Sequence, residues 1–204
     1  MTKDKGTKLT VYSLKGGQGK TTISCELSLE LDWQVITNDI HSPLESILDK
    51  DYTLKLAPDV ELPKAKELLG ADLIFDFGGY LDPRIIDALK MSDAVLIPVS
   101  NFGKKLDTQG FISSIAEVEN YNKNIIIILN KMKQETAKEV KKELKKYNYL
   151  YPVFEIRKSE AMEKIIAEGV SLSSIIKKGG LLGWTYKGIH ADFQKLIKHI
   201  KGVK

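Results

Sequence analysis

Three glycines and a Lys-Thr pair lie close together near the start of the chain, in an order that suits phosphate binding. Gly16, Gly17 and Gly19 separate an apolar stretch, residues 9–13, from a helical pattern that begins at Lys20. Glycines let the backbone adopt positive φ and approach a ligand closely. The N–H groups of such a turn and of the following helix can then face an anion. The spacing therefore predicts a phosphate-binding loop.

Lys20 and Thr21 extend this prediction to a nucleoside triphosphate and its metal ion. The ammonium group of Lys20 would reach the β- and γ-phosphates, and the hydroxyl of Thr21 would bind Mg²⁺. The general pattern G-x-x-x-x-G-K-[ST] is met at Gly19, Lys20 and Thr21, but Leu14 stands at its first glycine. A glycine-rich turn without a ligand is the alternative, but strand, turn, Lys-Thr pair and helix follow one another in the order that a nucleotide loop requires.

Asp76 is a candidate for the same site because it ends the apolar run of residues 73–75. A carboxylate at a strand end in such a fold holds Mg²⁺ directly or through water. Gly79 completes a D-x-x-G pattern with Asp76, and a glycine there can turn its amide toward the γ-phosphate. Asp76 could otherwise be the cap of a turn or helix.

Short apolar stretches alternate with longer helical patterns along the chain. Several stretches are apolar on successive residues, as strands covered on both faces of a parallel sheet must be. The alternation predicts a doubly wound α/β fold, with a mainly parallel sheet, helices on both faces and the ligand at the carboxyl ends of the strands. Strands are predicted at residues 9–13, 34–38, 72–77, 94–99, 125–130 and 153–156. Helices are predicted at about 20–31, 83–91, 108–121, 134–147, 159–168 and 189–201, with a short one between Pro63 and Gly70.

Length and composition suit a single domain over residues 1–204. Hydrophobic residues make up 43% of the chain and charged residues 28%, and the net charge is +4. A mild basic excess is compatible with nucleic acid or an acidic membrane surface, and equally with an ordinary protein surface. Because the chain has one cysteine, Cys25, we expect no internal disulfide and a reducing, cytoplasmic location. We expect no signal peptide and no membrane span, because the start is polar and the aliphatic runs are short.

The loop as a whole, K-G-G-Q-G-K-T-T at residues 15–22, resembles the deviant Walker A loop of the ParA/MinD family of ATPases. Lys15 matches the additional signature lysine of that family. The resemblance implies that Lys15 reaches across a two-fold interface to the partner's ATP, and that Lys15 and Lys20 are catalytic in an ATP-dependent homodimer. The implied ATP-binding residues of the loop are Gly16, Gly17, Gln18, Gly19, Lys20, Thr21 and Thr22.

The resemblance also covers the acidic residues. Asp39 matches the first acid of the family's D-x-D-P segment, which implies that it acts with Thr21 and Asp76 at Mg²⁺ and, with Asp76, in catalysis. His41 stands at the second acid, which the family associates with hydrolysis, and residues 77–79 depart from the usual T-P-P. We therefore expect firm ATP binding and slow hydrolysis without a partner. His41 could equally be a plain loop residue.

Asn130 ends the fifth predicted strand, where the family uses an asparagine to contact adenine. Lys133 stands where a guanine-reading N-K-x-D pattern would need aspartate, so ATP is favoured over GTP. Asn130 could instead be a turn residue that ends the strand. Weaker similarity at residues 94–99 and 156–172 extends the resemblance over nearly the whole chain. We expect no N-terminal helix-turn-helix, as in the short ParA type.

The favoured function is DNA partition. The ATP-bound dimer would bind DNA without sequence preference at the nucleoid, and a ParB-like adaptor protein would trigger hydrolysis and release. Lysine and arginine near the chain's end could neutralise phosphates. The candidate contacts, each of which could be an ordinary surface cation, are Arg157, Lys158, Lys177, Lys178 and Lys187.

Two other functions stay open. One is a MinD-like membrane-associated ATPase, because the C-terminal segment is basic and amphipathic. Its apolar residues are Phe193, Leu196, Ile197 and Ile200, among Lys195, Lys198 and Lys201. The same spacing suits packing on the sheet, which we favour. The other is a P-loop enzyme of small-molecule metabolism, which would need catalytic groups around a second substrate, whereas His41, His190 and His199 are scattered.

Overall fold

The computed structural model describes residues 5–78 and 82–203. The strands in this part of the chain are β1 (Lys8–Tyr12), β2 (Gln34–Thr37), β3 (Thr53–Lys55), β4 (Leu73–Phe77), β5 (Ala94–Val99), β6 (Ile125–Asn130) and β7 (Val153–Ile156). They form one parallel sheet in the order β3-β2-β4-β1-β5-β6-β7. From β1 the chain goes out to β2 and β3, returns to β4 beside β1, and then continues on the other side through β5, β6 and β7, so the direction of winding reverses beside β1. Ligands of doubly wound sheets bind at the carboxyl ends of the strands near such a reversal.

Every residue of β1, β4, β5 and β6 is buried, which explains their apolar composition. Successive side chains of a strand point to opposite faces of the sheet, so each strand supplies two hydrophobic cores. In β6, Ile126 and Ile128 belong to one core, whereas Ile125 and Ile127 belong to the other. The predicted doubly wound parallel fold is therefore confirmed.

Helices cover both faces of the sheet. The helices are α1 (Lys20–Leu31), α2 (Leu44–Ile47), α3 (Arg84–Met91), α4 (Lys105–Glu119), α5 (Gln134–Lys146), α6 (Ala161–Glu168), α7 (Leu172–Lys178) and α8 (Gly180–Ile200), with a short 3-10 helix at Lys50–Tyr52. One core contains residues of α1, α6, α7 and α8, and the other contains residues of α3, α4 and α5. Among the described helices, none is both long enough and apolar enough to cross a bilayer.

One predicted helix is absent, another begins earlier than predicted, and several short elements were not predicted. The segment between Pro63 and Gly70 forms turns closed by short bonds, such as the 2.8 Å bond from the N–H of Glu67 to the carbonyl of Lys64. The three-residue strand β3 at the sheet edge, the four-residue α2 and the seven-residue α7 were not predicted, because each is too short to show a clear period. Helix α8 begins nine residues before the predicted start at residue 189, within a stretch whose glycines discourage a helix prediction.

Candidate nucleotide-binding site

The glycines shape the loop between β1 and α1. Gly17 and Gly19 have φ of 75° and 89°, in the left-handed region that residues with side chains rarely adopt. A Cβ on Gly19 would also lie 2.2 Å from Nδ2 of Asn130, so both conformation and space require glycine there. At Gly16 and Gly17 a Cβ would meet nothing within 4 Å. The backbone of the loop is therefore open to a ligand on that side.

Helix α1 begins at this loop without a side-chain cap. Its N-cap is Gly19 and its first turn carries no acidic residue. The first N–H groups of a helix have no intrahelical partners, and with the helix dipole they attract an anion. An open cleft of about 580 Å³, a size typical of small-molecule sites, adjoins the loop. Its lining residues are Gly16, Gly17, Gly19, Lys20, Thr21, Thr22, Asn38, Asp39, Ile40 and Gly78.

Lys20 supplies the positive charge inside the cleft. A Cβ on Gly78 would lie 3.4 Å from Nζ of Lys20, so the ammonium group sits beside the end of β4. Burial lowers the pKa of Lys20, while the negative charges of Asp76 and Asp39 act in the opposite direction. A partly desolvated ammonium group next to the backbone N–H groups at the start of α1 fits a polyanion such as a triphosphate.

Asp76 lies in β4 behind this ammonium group and is 2% exposed. The hydroxyl of Ser24 donates to its Oδ1 at 3.1 Å. Burial raises the pKa of Asp76 to about 6, and hydrogen bonds from Thr21 and Ser24 oppose the increase. The hydroxyl and carboxylate oxygens of Thr21 and Asp76 thus lie together, and oxygen ligands are those that Mg²⁺ prefers.

Asp39 and His41 lie on an exposed segment at the mouth of the cleft. The N–H of His41 donates to Oδ1 of Asp39 at 3.0 Å, and the N–H of Asp39 faces Oγ1 of Thr37 at 3.2 Å. Asp39 lines the cleft, whereas His41 is not among the lining residues. The side chain of Asp39 is therefore within reach of a cation in the cleft, and His41 occupies a loop position beside it.

Asn38 is a site residue that the sequence analysis missed. Its Nδ2 donates to the carbonyl of Gly78 at 2.9 Å and to Oδ2 of Asp82 at 2.7 Å, and its Oδ1 accepts from the N–H of Gly78 at 3.0 Å. These bonds tie the end of β2 to the segments on either side of residues 79–81. The sequence did contain a signal for Asn38, since an amide side chain directly follows a buried strand at the carboxyl edge of the sheet, where the ligand was expected.

Lys15 does not face the cleft. It forms an ion pair with Asp107 in the first turn of α4, and the two side chains are 42% and 11% exposed. Both residues line a separate groove at the start of α4. The two lysines of one loop therefore point to different places, Lys20 into the cleft and Lys15 outside it. Asp107 was missed because an acid in a first helix turn already has a local explanation in the helix dipole.

Asn130 lies behind the loop and is 1% exposed. Its Nδ2 donates to the carbonyl of Gln18 at 2.9 Å, and the hydroxyl of Ser100 donates to the same carbonyl at 2.8 Å. The N–H of Ser100 donates to Oε1 of Gln18 at 2.7 Å. Within the described chain, the buried Oδ1 of Asn130 has no hydrogen-bond partner. These bonds hold the back of the loop, and an adenine contact for Asn130 stays a prediction.

The remaining predicted residues lie elsewhere. Gly79 lies outside the described residues. Arg157 is held by Asp192, with Nε and Nη2 donating at 2.6 and 2.9 Å, so its charge is already compensated. The other candidate DNA contacts, Lys158, Lys177, Lys178 and Lys187, are exposed. The four apolar residues of the C-terminal segment are at most 4% exposed in the core, which confirms the packing interpretation for that surface.

Solved structures of similar fold come from several nucleotide-binding proteins. An ATP complex of a Cyanothece McdA variant is 18% identical, with a TM-score of 0.68 and 98% of each chain covered. The Pyrococcus furiosus cell division ATPase MinD is 18% identical, with a TM-score of 0.61, covering 94% of this chain and 99% of its own. A putative plasmid partition protein from Borrelia burgdorferi bound to AMPPNP is 17% identical, with a TM-score of 0.60 and the same coverage. Likeness at this identity establishes the fold.

A family comparison reaches further than the fold. A search of curated proteins found no match. The family model CbiA, described as the CobQ/CobB/MinD/ParA nucleotide binding domain, matches residues 9–172, a span that runs from β1 to the start of α7 and contains the whole cleft. The protein is therefore a member of the CobQ/CobB/MinD/ParA nucleotide-binding domain family, as its resemblance to ParA and MinD predicted.

Proposed function

We propose that this protein is a ParA-like ATP switch, which binds ATP with Mg²⁺, forms an ATP-dependent homodimer and hydrolyses ATP slowly. The observation that carries the proposal is that the side chains of the two loop lysines, Lys15 and Lys20, lie in different places. Lys20 lies inside the cleft, whereas Lys15 lies outside it and is half-exposed in its pair with Asp107. From that position Lys15 would contact the ATP of a second copy of the chain and not the nucleotide of its own chain.

Each residue of the cleft has a proposed role toward the nucleotide. The loop N–H groups and Lys20 would hold the phosphates, while Thr21, Asp39 and Asp76 would hold Mg²⁺, directly or through water. Bound Mg²⁺ would neutralise negative charge on the phosphate oxygens. Asn38 would align the segment that follows β4, because it holds Gly78 from both sides.

Slow hydrolysis is proposed from the mouth of the cleft. Asp39 is exposed there, and the neighbouring His41 donates its backbone N–H to that carboxylate. An exposed carboxylate without a fixed second acid orients an attacking water poorly. A second copy of the chain or an adaptor protein would close the cleft. Phosphate release by the isolated chain measures this directly, and rapid turnover would contradict the proposal.

The dimer is tested by solution mass with Mg²⁺-ATP, with ADP and without nucleotide. Lys15→Ala should abolish the ATP-dependent dimer while the affinity for a fluorescent ATP analogue stays within about threefold. Lys142→Ala, at an exposed position of α5, is the matched control and should dimerise normally. A monomer in all conditions, or an intact dimer of the Lys15→Ala variant, would argue against the proposal.

The partition role is proposed from the fold and from the exposed lysines. The solved structures of similar fold include a plasmid partition protein. Phosphate contacts by lysine give binding without sequence preference that weakens with salt. Gel retardation of duplex DNA at low salt should therefore need ATP and be lost in the Lys15→Ala variant. Equal retardation with ATP, ADP and no nucleotide would refute a DNA switch. Failure of a ParB-like adaptor to raise turnover would refute the role proposed for the adaptor.

A further inference from the structure

The start of α8 exposes a group of large apolar side chains. Leu181, Leu182 and Trp184 are 78%, 44% and 72% exposed, and we call these three residues the α8 tip. Trp184 is the exposed one of two tryptophans, since Trp33 is 8% exposed in the core. Large apolar side chains that are exposed together, rather than scattered singly, mark an interaction surface.

The α8 tip is displayed by a well-packed helix pair. Gly183, the one residue inside the tip, is buried, and a Cβ there would lie 3.3 and 3.4 Å from the carbonyl oxygens of Ile176 and Ile175 in α7. One turn further, Tyr186 is 7% exposed within the core. Helix α8 is therefore fixed to the protein on one side, and the exposure of its other side is a feature of the folded state.

Positive charge surrounds the α8 tip. Lys177 and Lys178 end α7 directly before it, and Lys187 follows Trp184 by about one turn. The sequence contains no Asp or Glu between Glu168 and Asp192. The N-terminus of α8, whose dipole adds to this charge, carries neither a side-chain cap nor an acid in its first turn. The surface is thus an apolar centre within a basic rim.

The α8 tip projects from the same edge of the molecule as the nucleotide cleft. Helix α8 runs antiparallel to β7, because Phe154 contacts His199 while Arg157, directly after β7, pairs with Asp192. Arg157 also lies against Gly188, so the eight residues before Gly188 extend about 12 Å past the carboxyl end of β7. The loop and Lys20 lie at the carboxyl end of β1 in the same sheet.

We propose that the α8 tip docks onto an anionic lipid bilayer. Leu181 and Trp184 would enter the interface while the neighbouring lysines contact acidic headgroups, the combination by which helices lie on membranes. Duplex DNA would satisfy the lysines but would leave three apolar side chains facing phosphates and water. A projecting helix end also suits a deformable surface better than a peptide, which needs a groove. This site is separate from the nucleotide cleft and from the buried apolar face of α8. It removes Lys177, Lys178 and Lys187 from the candidate DNA contacts and leaves Lys158 among them.

Vesicle binding by the full chain tests the proposal. Vesicles of phosphatidylglycerol and phosphatidylcholine should co-sediment the protein, and pure phosphatidylcholine should bind it at least about tenfold more weakly. Emission from Trp184 should shift to the blue on binding, whereas Trp33 is already buried. Leu181→Gln/Trp184→Gln should reduce binding at least about tenfold. The control Leu150→Gln changes a side chain that is 83% exposed before β7, at the opposite edge of the sheet, and should leave binding unchanged.

The outcomes separate this proposal from the proposed function. Leu181→Gln/Trp184→Gln should keep the ATP-dependent dimer, and Lys15→Ala should keep the blue shift with anionic vesicles. Equal vesicle binding by the double variant and the native chain would overturn the membrane site. An emission of Trp184 that does not shift with anionic vesicles would also overturn the membrane site. If the emission responded to duplex DNA and not to vesicles, the α8 tip would be part of a DNA-binding surface.

Discussion

Replacing Glu26 with glutamine should flatten the pH dependence of folding stability. Glu26 is wholly buried in α1, and the N–H of Leu172 donates to its Oε1 at 3.2 Å. Burial raises the pKa of Glu26 from 4.5 to about 9, and the charge of Glu30 acts in the same direction. The folded chain therefore keeps a proton on Glu26 at neutral pH, whereas the unfolded chain releases it.

The size of the effect follows from this difference in bound protons. Between the unfolded pKa of 4.5 and the folded pKa of about 9, the folded state binds up to one more proton. The free energy of unfolding then falls as the pH rises, by at most about 1.4 kcal/mol per pH unit. From about pH 6 to about pH 8, Glu26 alone should cost about 2–3 kcal/mol of stability. The N–H of Leu172 favours the ionised form, and its opposing effect is already included in the pKa of about 9.

Urea unfolding at several pH values measures the effect. The free energy of unfolding of Glu26→Gln, relative to the native chain, should rise by about 2–3 kcal/mol between about pH 6 and pH 8. Glutamine keeps the shape and can accept from the same N–H without titrating. Glu135→Gln, at an exposed position of α5, controls for the loss of a carboxylate elsewhere and should keep the native slope. Parallel slopes for Glu26→Gln and the native chain would refute the assignment of a buried, protonated carboxyl group.

Three further predictions concern the loop and its surroundings. Gly19→Ala should weaken ATP binding at least about a hundredfold, as measured by calorimetry, because φ is 89° and a Cβ would lie 2.2 Å from Nδ2 of Asn130. The control Gly110→Ala, which has open space at the Cβ, should bind ATP normally. Asp107→Asn should strengthen ATP-dependent self-association several-fold in sedimentation by releasing Lys15, and weaker association would contradict this. Asn38→Ala should lower the free energy of unfolding by about 1–2 kcal/mol, because it leaves the partly buried N–H and carbonyl of Gly78 without this partner. A change below about 0.5 kcal/mol would show that water replaces these bonds.

The central strands and the loop could be predicted because their signals are local. β5 and β6 are buried on both faces, so their sequences are apolar without interruption, and the predicted bounds agree with the structure. The loop could also be predicted from local sequence, since its conformation needs a positive φ at Gly19, which glycine adopts readily. The resemblance to ParA and MinD then led to the family that the comparison establishes.

The missed features depend on contacts between distant parts of the chain. Asp107 pairs with Lys15, and Ser100 holds Gln18, only because the sheet brings the ends of neighbouring strands together. The early start of α8 was missed for a related reason. Gly183 discourages a helix in isolation, but in the fold it allows α7 to approach closely, and tertiary packing outweighs its low propensity.

The position of the Asn130 amide beside Gly19 has a consequence for substitutions in the loop. The amide of Asn130 occupies the space that any side chain at position 19 would need, and it also holds the carbonyl of Gln18. A smaller residue at position 130 would make room at position 19 but would leave that carbonyl without this donor. The φ of 89° would still exclude most side chains from position 19, so the loop conformation and the amide of Asn130 restrict this position independently, and neither change alone would admit a larger residue.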